Sequence, residues 1–529
     1  MFIRPFFFVL AAVLASSSSS LLTAGDEPLA ARIDRIVEGK SQAENVPLSP
    51  PADDAEFLRR VYLDFAGKIP SAAAARQFLA DTRPRKREKL LEQLLAAPEY
   101  AVRMADLFNV MLMERLGEHP EWMKYLRAAF ASNKRWNAMA REILRADSRD
   151  AANLGASFFI AKRLENYGQN PVDYSGLTRD VGRLFLGKNF QCCECHDHLF
   201  VDDYKQQHFQ GLHTFLRNTM LVNAAKLQVR EKPLVEKTNF ASVFTKVVMS
   251  TGPALPGMMM LEVPSFAKGM EFAEPPDKKK GSLGVPKFST LAALSEQLPK
   301  TSNADFARNM ANRLWFTLMG RGIVHPLDMH HSKNPGSHPE LLDLLAKEFA
   351  AHDFDIKWLL RELANTKTYR RSSRVAAGRE PPDPWFFSAA LERRLSAEQL
   401  WQSAATATGA DAVAAAKMRP RFIKAFANQP REPEDEIAPS LKAALFVLHD
   451  DTLLALVKPA PGNLVDRLAK LSGDRIAEEL YLSILTRKPT IEESATVEKI
   501  LRKHDSKKPE AIGRLAWALL ASMEFSVNH

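Results

Sequence analysis

All three cysteines of this 529-residue chain fall between positions 192 and 195. No long-range disulfide can therefore staple the polypeptide, and whatever it folds into must be held by its own interior. The means are present, since 46% of the residues are apolar and the chain is long enough to bury a large core. The cysteines are reserved for something local. Their stretch reads Cys192-Cys193-Glu194-Cys195-His196-Asp197-His198 and contains C-x-x-C-H. That pattern is the attachment signature of c-type haem, and it overlaps metal-site and disulfide patterns.

Compartment bears on which reading applies. Arg4 forms a short positive region, Pro5 to Ala15 an apolar run, and small residues follow, with Ala24 a suitable last residue before cleavage. This is the layout of a signal peptide over residues 1–24, and the run is too short to span a bilayer, which needs about 20 apolar residues. We expect an exported protein of the periplasm, cell envelope or extracellular space, with no transmembrane segment in the mature chain. Net charge is +9, from 72 Lys+Arg against 63 Asp+Glu. The excess is mild and lacks the clustered basic face of nucleic-acid binders, so no nucleic-acid partner is expected. An acidic polysaccharide would fit its sign.

Most of the sequence has helical period. Leucines at 90, 91, 94 and 95 form one stripe. Ser337 with Glu340, Ser396 with Gln399, and Thr490 with Glu493 read as capping boxes opening helices. Ile69-Pro70-Ser71 and Lys488-Pro489-Thr490 repeat one joint, a proline and a hydroxyl cap between helices. From about Leu221 to Phe288 the period fades into Val-rich pieces such as Val243 to Val248, with Gly and Pro punctuation and a linker-like stretch over Glu274 to Pro286. The expected fold is mostly α, two helical lobes with a small irregular or β insert between them. Residues 25–50 are expected as a linker, 51–220 as a helical domain with the C-x-x-C-H motif, 221–290 as the insert, and 291–529 as a C-terminal helical domain. Arg308, Asn312, Arg313 and Trp315 fall on one or two faces of a helix there, as partners in buried ion pairs would.

The segments LRRVYLDFAGKIPSAAAARQFLAD, LFLGKNFQCCECHDHLFVDDYKQQHFQGLHTF, FARNMANRLWFTLMGRGIVHPLD and LAWALLASMEFSVNH resemble a two-part family. It is the planctomycete secreted cytochrome-like domain followed by the planctomycete secreted domain, both of unknown function. The resemblance runs from about Phe57 to His529 and implies an exported protein. Where the family usually has Asp-His-Pro-Phe after the motif, this chain has Asp197-His198-Leu199-Phe200.

Three readings of the cysteine segment stay open. In the haem reading, Cys192 and Cys195 form thioethers and His196 reaches the iron. Phe185, Phe190, Phe200, Phe209, Leu212 and Phe215 could then wall a porphyrin, and Met258, in the run Met258-Met259-Met260, could be a second axial ligand. In the metal reading, Cys192, Cys195, His198 and His208 or His213 hold a tetrahedral zinc. In the third, Cys192 and Cys195 form a disulfide and no cofactor is bound. Cys193 is a spectator in each. His330 and His331 make a second histidine patch able to serve a metal or a distal group, although two adjacent histidines alone lack a full ligand set. No G-x-S-x-G, phosphate-binding Gly loop or H-E-x-x-H occurs. The sequence therefore points to an exported c-type cytochrome-like protein with haem c and a redox partner. The alternative is a haem-free envelope binding or scaffold protein with a disulfide or zinc site, linked to acidic polysaccharide.

Overall fold

The leucine stripe at 90, 91, 94 and 95 is buried along one side of the helix Lys86–Ala96, and the same logic builds the rest of a mostly α molecule. Each such Leu or Phe contributes about 1.5–3 kcal/mol on leaving water. The computed structural model describes residues 27–529 except 167, 278, 280–282, 376–379 and 433–439. The expected signal peptide lies outside the described residues. Among them no helix is long and apolar enough to cross a membrane.

Buried side chains form two clusters that do not follow the segments read from sequence. The first runs from Leu29 to Phe387 and takes in the helices Ala304–Met319, Pro339–Ala351 and Ile356–Ala364. Trp136 shows how it is knit: its ring lies between Phe185 and Phe306, with centroids 5.7 and 5.9 Å away and the three planes nearly parallel. The second cluster spans Leu395 to Phe525 and borrows Leu63 and Ile69. The two clusters part near residue 390, with Leu482 crossing into the first. Periodicity shows that a helix has an apolar face but not which partner covers it.

A buried polar seam joins the two clusters. On the helix Asp54–Ala66, Arg60 pairs with Glu56 at 2.7 Å and donates to the carbonyl oxygens of Arg371 at 2.8 Å and His529 at 2.6 Å. Arg59 donates to the carbonyls of Phe525 and Val527 at 2.8 and 3.2 Å. Asp64 receives the Arg393 guanidinium through both oxygens, the Tyr369 hydroxyl and the Asn528 amide. Such satisfaction is what burying these charges demands.

The capping boxes at Ser396–Gln399 and Thr490–Glu493 form as read. The one at Ser337 does not. Pro339 takes the first helical position, which its fixed φ suits, so His338 becomes the N-cap and Ser337 sits one residue too early. The Ser337 hydroxyl turns to the Ile323 carbonyl, and His338 is buried against Phe387. Arg308, Asn312 and Trp315 also depart from the buried ion pairs expected. Arg308 pairs with Asp343 at the surface, Asn312 and Arg313 bond to Val324 and Asn309, and Trp315 is core.

The middle of the chain is a set of antiparallel hairpins. Thr219–Asn223 pairs with Gln228–Glu231, Thr238–Ala241 with Val248–Thr251, and Phe272–Glu274 with Val285–Pro286. Of the Val-rich piece Val243 to Val248, expected in the β insert, residues 243–247 form the tip of the second hairpin and Val248 opens its returning strand. The base of that hairpin rests on the helix Gln206–Leu216 through a 2.7 Å contact between the Thr214 and Thr238 hydroxyls. Beside it, Gly211 receives the Ala254 N–H on its carbonyl, and a Cβ at 211 would meet the Ala254 oxygen at 2.8 Å.

Candidate functional site

Gly187, at φ +67°, ends the helix Tyr174–Leu186 and turns the chain toward the cysteines. Phe190 is fully buried and anchors a short 3₁₀ turn, Gln191–Glu194. One face of that turn must look inward. Cys193 takes it, with 0% exposure, and burial pushes its thiol up to about 12. Cys192 and Cys195 consequently face solvent, and all three thiols are free.

The backbone of the segment is braced from beneath. Ser175 and Arg179 hold the two carboxylate oxygens of Glu194 at 2.6 and 2.7 Å. Gln206 and Gln210 donate to its carbonyl at 3.3 and 3.1 Å. Asp197 accepts the Gln206 N–H at the start of the next helix, 2.9 Å away, and the Val243 N–H reaches the Cys195 carbonyl at 3.0 Å.

These contacts set the two histidines in opposite states. His196 Nδ1 lies 2.6 Å from the Asp197 carbonyl oxygen. A carbonyl only accepts, so Nδ1 carries the proton and the lone pair sits on Nε2. Metal-ligating histidines are commonly fixed in just this way, by a hydrogen bond from the other ring nitrogen. His198 is reversed: its Nδ1 accepts the backbone N–H groups of Phe200 and Val201 at 3.2 and 3.1 Å. The lone pair is engaged and the neutral ring keeps its proton on Nε2, which removes His198 from a ligand set.

The remaining candidates are dispersed. His208 Nδ1 faces the Lys205 N–H at 3.4 Å, and burial, reinforced by Lys188, lowers its pKa. The Thr178 hydroxyl gives its proton to the Tyr174 carbonyl, so it accepts from His213 Nδ1 at 3.1 Å. That ring stacks on Phe209. Among the described residues no three His, Cys, Asp or Glu gather in metal-holding geometry. Met258 packs on the first core, Met259 is exposed, and the Met260 sulfur accepts the Gly252 N–H. The ring that lies on His196 is Phe244, at 4.7 Å. The expected aromatic wall is corrected as well. Phe185, Phe190, Phe209, Leu212 and Phe215 are spent in the core, and only Phe200, 78% exposed, remains at the surface.

Two features escaped sequence reasoning. One is the hairpin tip, whose Val243, Phe244, Val247 and Val248 are exposed beside the motif, with Leu199 and Phe200; the Val-rich run was its signal, expected only as part of the β insert. The other is the place of the second histidine patch, which the sequence singles out some 130 residues away but does not bring to the turn before the cysteines. His330 N–H bonds to the Gly187 carbonyl at 3.0 Å, and the Tyr204 hydroxyl to the His330 carbonyl at 3.1 Å. The His331 ring meets Tyr204 edge-on at 5.3 Å. Burial, with Arg313 and Lys188 nearby, drives His330 down to about 3 and keeps it neutral.

Residues 32–220 match the family model PSCyt2, described as a protein of unknown function (DUF1549). Residues 291–422 match PSD1, likewise a protein of unknown function (DUF1553). No curated protein and no solved structure matches the chain. With its cysteine segment inside the first match and its second histidine patch inside the other, the chain carries a PSCyt2 domain followed by a PSD1 domain.

Proposed function

We propose that the protein is exported and carries haem c on the Cys192–His196 segment, serving as an electron carrier with a partner redox protein. One observation carries the reading. Two solvent-facing thiols flank a histidine whose Nδ1–H is committed to a backbone carbonyl, leaving Nε2 with the lone pair. Cys192 and Cys195 would hold the group through thioethers, and His196 would be its axial ligand. The bound iron would supply one-electron redox chemistry.

The chain's own residues do the rest. Glu194, Asp197 and Gln206 fix the loop, so neither thiol has to be ordered on attachment. Phe244, Val243, Leu199 and Phe200 give an apolar surface next to the motif, more than a surface loop ordinarily leaves in water. The hydrogen bond from His196 orients the ring and raises its basicity.

The exposure of both thiols within one turn also favours a second reading, a Cys192–Cys195 disulfide in a haem-free envelope protein. One experiment separates the two. The full chain is exported from cells equipped for c-type cytochrome maturation, then examined by absorption and intact mass. A Soret band and a mass increased by one haem are expected, both lost in the Cys192→Ala/Cys195→Ala variant. A colourless wild-type protein overturns the proposal, and a mass short of two hydrogens then assigns the disulfide.

A further inference from the structure

A cavity of about 350 Å³ lies where the two family domains meet. Its walls are the helices Pro98–Met113 and Ala304–Met319 and the start of Ala397–Thr408. The size is that of a small-molecule site, and domain junctions are where such sites concentrate. Leu107, Val110 and Phe316 supply apolar wall, and charged groups supply the rest.

Most of those charges are already matched. Glu114 takes Arg183 through both oxygens at 2.9 and 2.8 Å. Asp64 takes Arg393, and Arg115 holds Glu398 at 2.5 and 3.0 Å. Glu392 and Arg394 lie exposed at the rim, and among the buried charges Arg103 is the least matched. It is 7% exposed, its hydrogen bond among the described residues is a long one from Nε to the Asp64 carbonyl at 3.4 Å, and no carboxylate there comes within ion-pair distance. Its stem is held by Gly67, whose φ of +72° closes the preceding helix; a Cβ at 67 would stand 3.0 Å from Arg103 Cδ. One turn along, Asp106 is 5% exposed and, among the described residues, accepts only a 3.3 Å bond from Gln402. Burial, then the Glu398 charge, pushes Asp106 up to about 6 against the pull of Arg419, Arg103 and Arg127.

The charges of Asp64, Asp106 and Glu398 reach the Arg103 guanidinium only through space, so the buried fork has no carboxylate bonded to it and leaves a place for one. A dianion would instead meet Asp106, Glu398 and Asp328 on the same walls. A carboxyl beside the fork, able both to give and to accept a hydrogen bond, suits a hydroxyl. We propose that this cavity binds a small hydroxylated carboxylic acid of the sugar-acid class, its carboxylate on Arg103 and a hydroxyl on Asp106. A free sugar acid and the end residue of an acidic polysaccharide share that chemistry.

The test is calorimetric titration of the full chain, with or without haem, using glucuronate, glucose, inorganic phosphate and a glucuronate-ended oligosaccharide. Glucuronate is expected to bind at least tenfold more tightly than glucose or phosphate. Binding tightens from about pH 7.5 to about pH 5, as Asp106 takes up its proton beside Glu398. Arg103→Lys loses at least tenfold in affinity, and Asp106→Asn abolishes the pH dependence. The free acid binding alone assigns that source, and equal binding of the oligosaccharide assigns the chain end. No heat from glucuronate at millimolar concentration, or phosphate binding as tightly, overturns the proposal. So does unchanged affinity in both variants, and Asp106→Asn decides the matter should Arg103→Lys fail to fold.

Discussion

The cysteine segment and the interdomain cavity solve opposite problems with reactive side chains. At the segment, the structural work is done by the anchors Phe190 and Cys193 and by the braces on Glu194 and Asp197, so the thiols of Cys192 and Cys195 are left free at the surface and the His196 ring is fixed through one nitrogen. In the cavity the buried polar groups are themselves part of the packed interior, and among the described residues Arg103 and Asp106 are the ones held by a single long hydrogen bond each. The difference teaches where to look for function. On a surface loop it is the tautomer and the exposure that discriminate, whereas in a buried seam it is the group that the surrounding pairs fail to satisfy.

Substitutions should separate the two regions sharply. Arg115→Gln strands Glu398, 3% exposed, without its guanidinium fork. Breaking a buried pair from one side costs about 3–5 kcal/mol, readable as a lower urea midpoint. A loss below about 1 kcal/mol would make the cavity wall behave like a surface pair and erase the contrast.

Asp106→Asn should act in the other direction and only at one end of the pH range. The native state holds the Asp106 proton up to about 6, against the ordinary 3.8. Between those values the folded chain binds more protons than the unfolded one, so this group lowers stability as pH rises and its full penalty is present above about 6. The asparagine variant is expected to be more stable by about 1–3 kcal/mol near pH 7.5, a gain that vanishes near pH 4. A pH-independent difference would show that the carboxyl is not held neutral by burial.

The smallest effect belongs to the segment. Cys192→Ser/Cys195→Ser in the haem-free chain is expected to shift stability by no more than about 0.5 kcal/mol, as for other exposed positions. A larger loss would mean that the two thiols already support the fold.

The sequence made one of these regions legible and hid the other, for the same physical reason. Cys192 to His198 is contiguous, so its chemistry could be read directly, as could the helix starts at Ser396 and Thr490, where side chain and backbone N–H lie within one turn. The cavity draws on Arg103, Arg313, Glu398 and residues between, which only packing brings together. Nor does periodicity disclose that Phe306 would stack on Trp136 and carry the Ala304–Met319 helix into the first core. Met258 failed as a companion of His196 because chain separation says what a loop can span and not where it goes. The hairpin tip put Phe244 there instead.

The clasp by Arg59 and Arg60 has a consequence for the order in which the molecule can be completed. The carbonyl of Val527 that Arg59 grips is synthesised 468 positions after it. Until the segment from Ile484 onward is made, a helix of the first core holds the Arg59 guanidinium with its acceptors unmade, while Arg60 already has Glu56. A chain cut short before Glu524 would leave that buried guanidinium without most of the carbonyls that satisfy it, so the last residues complete the interior of a helix made near the beginning.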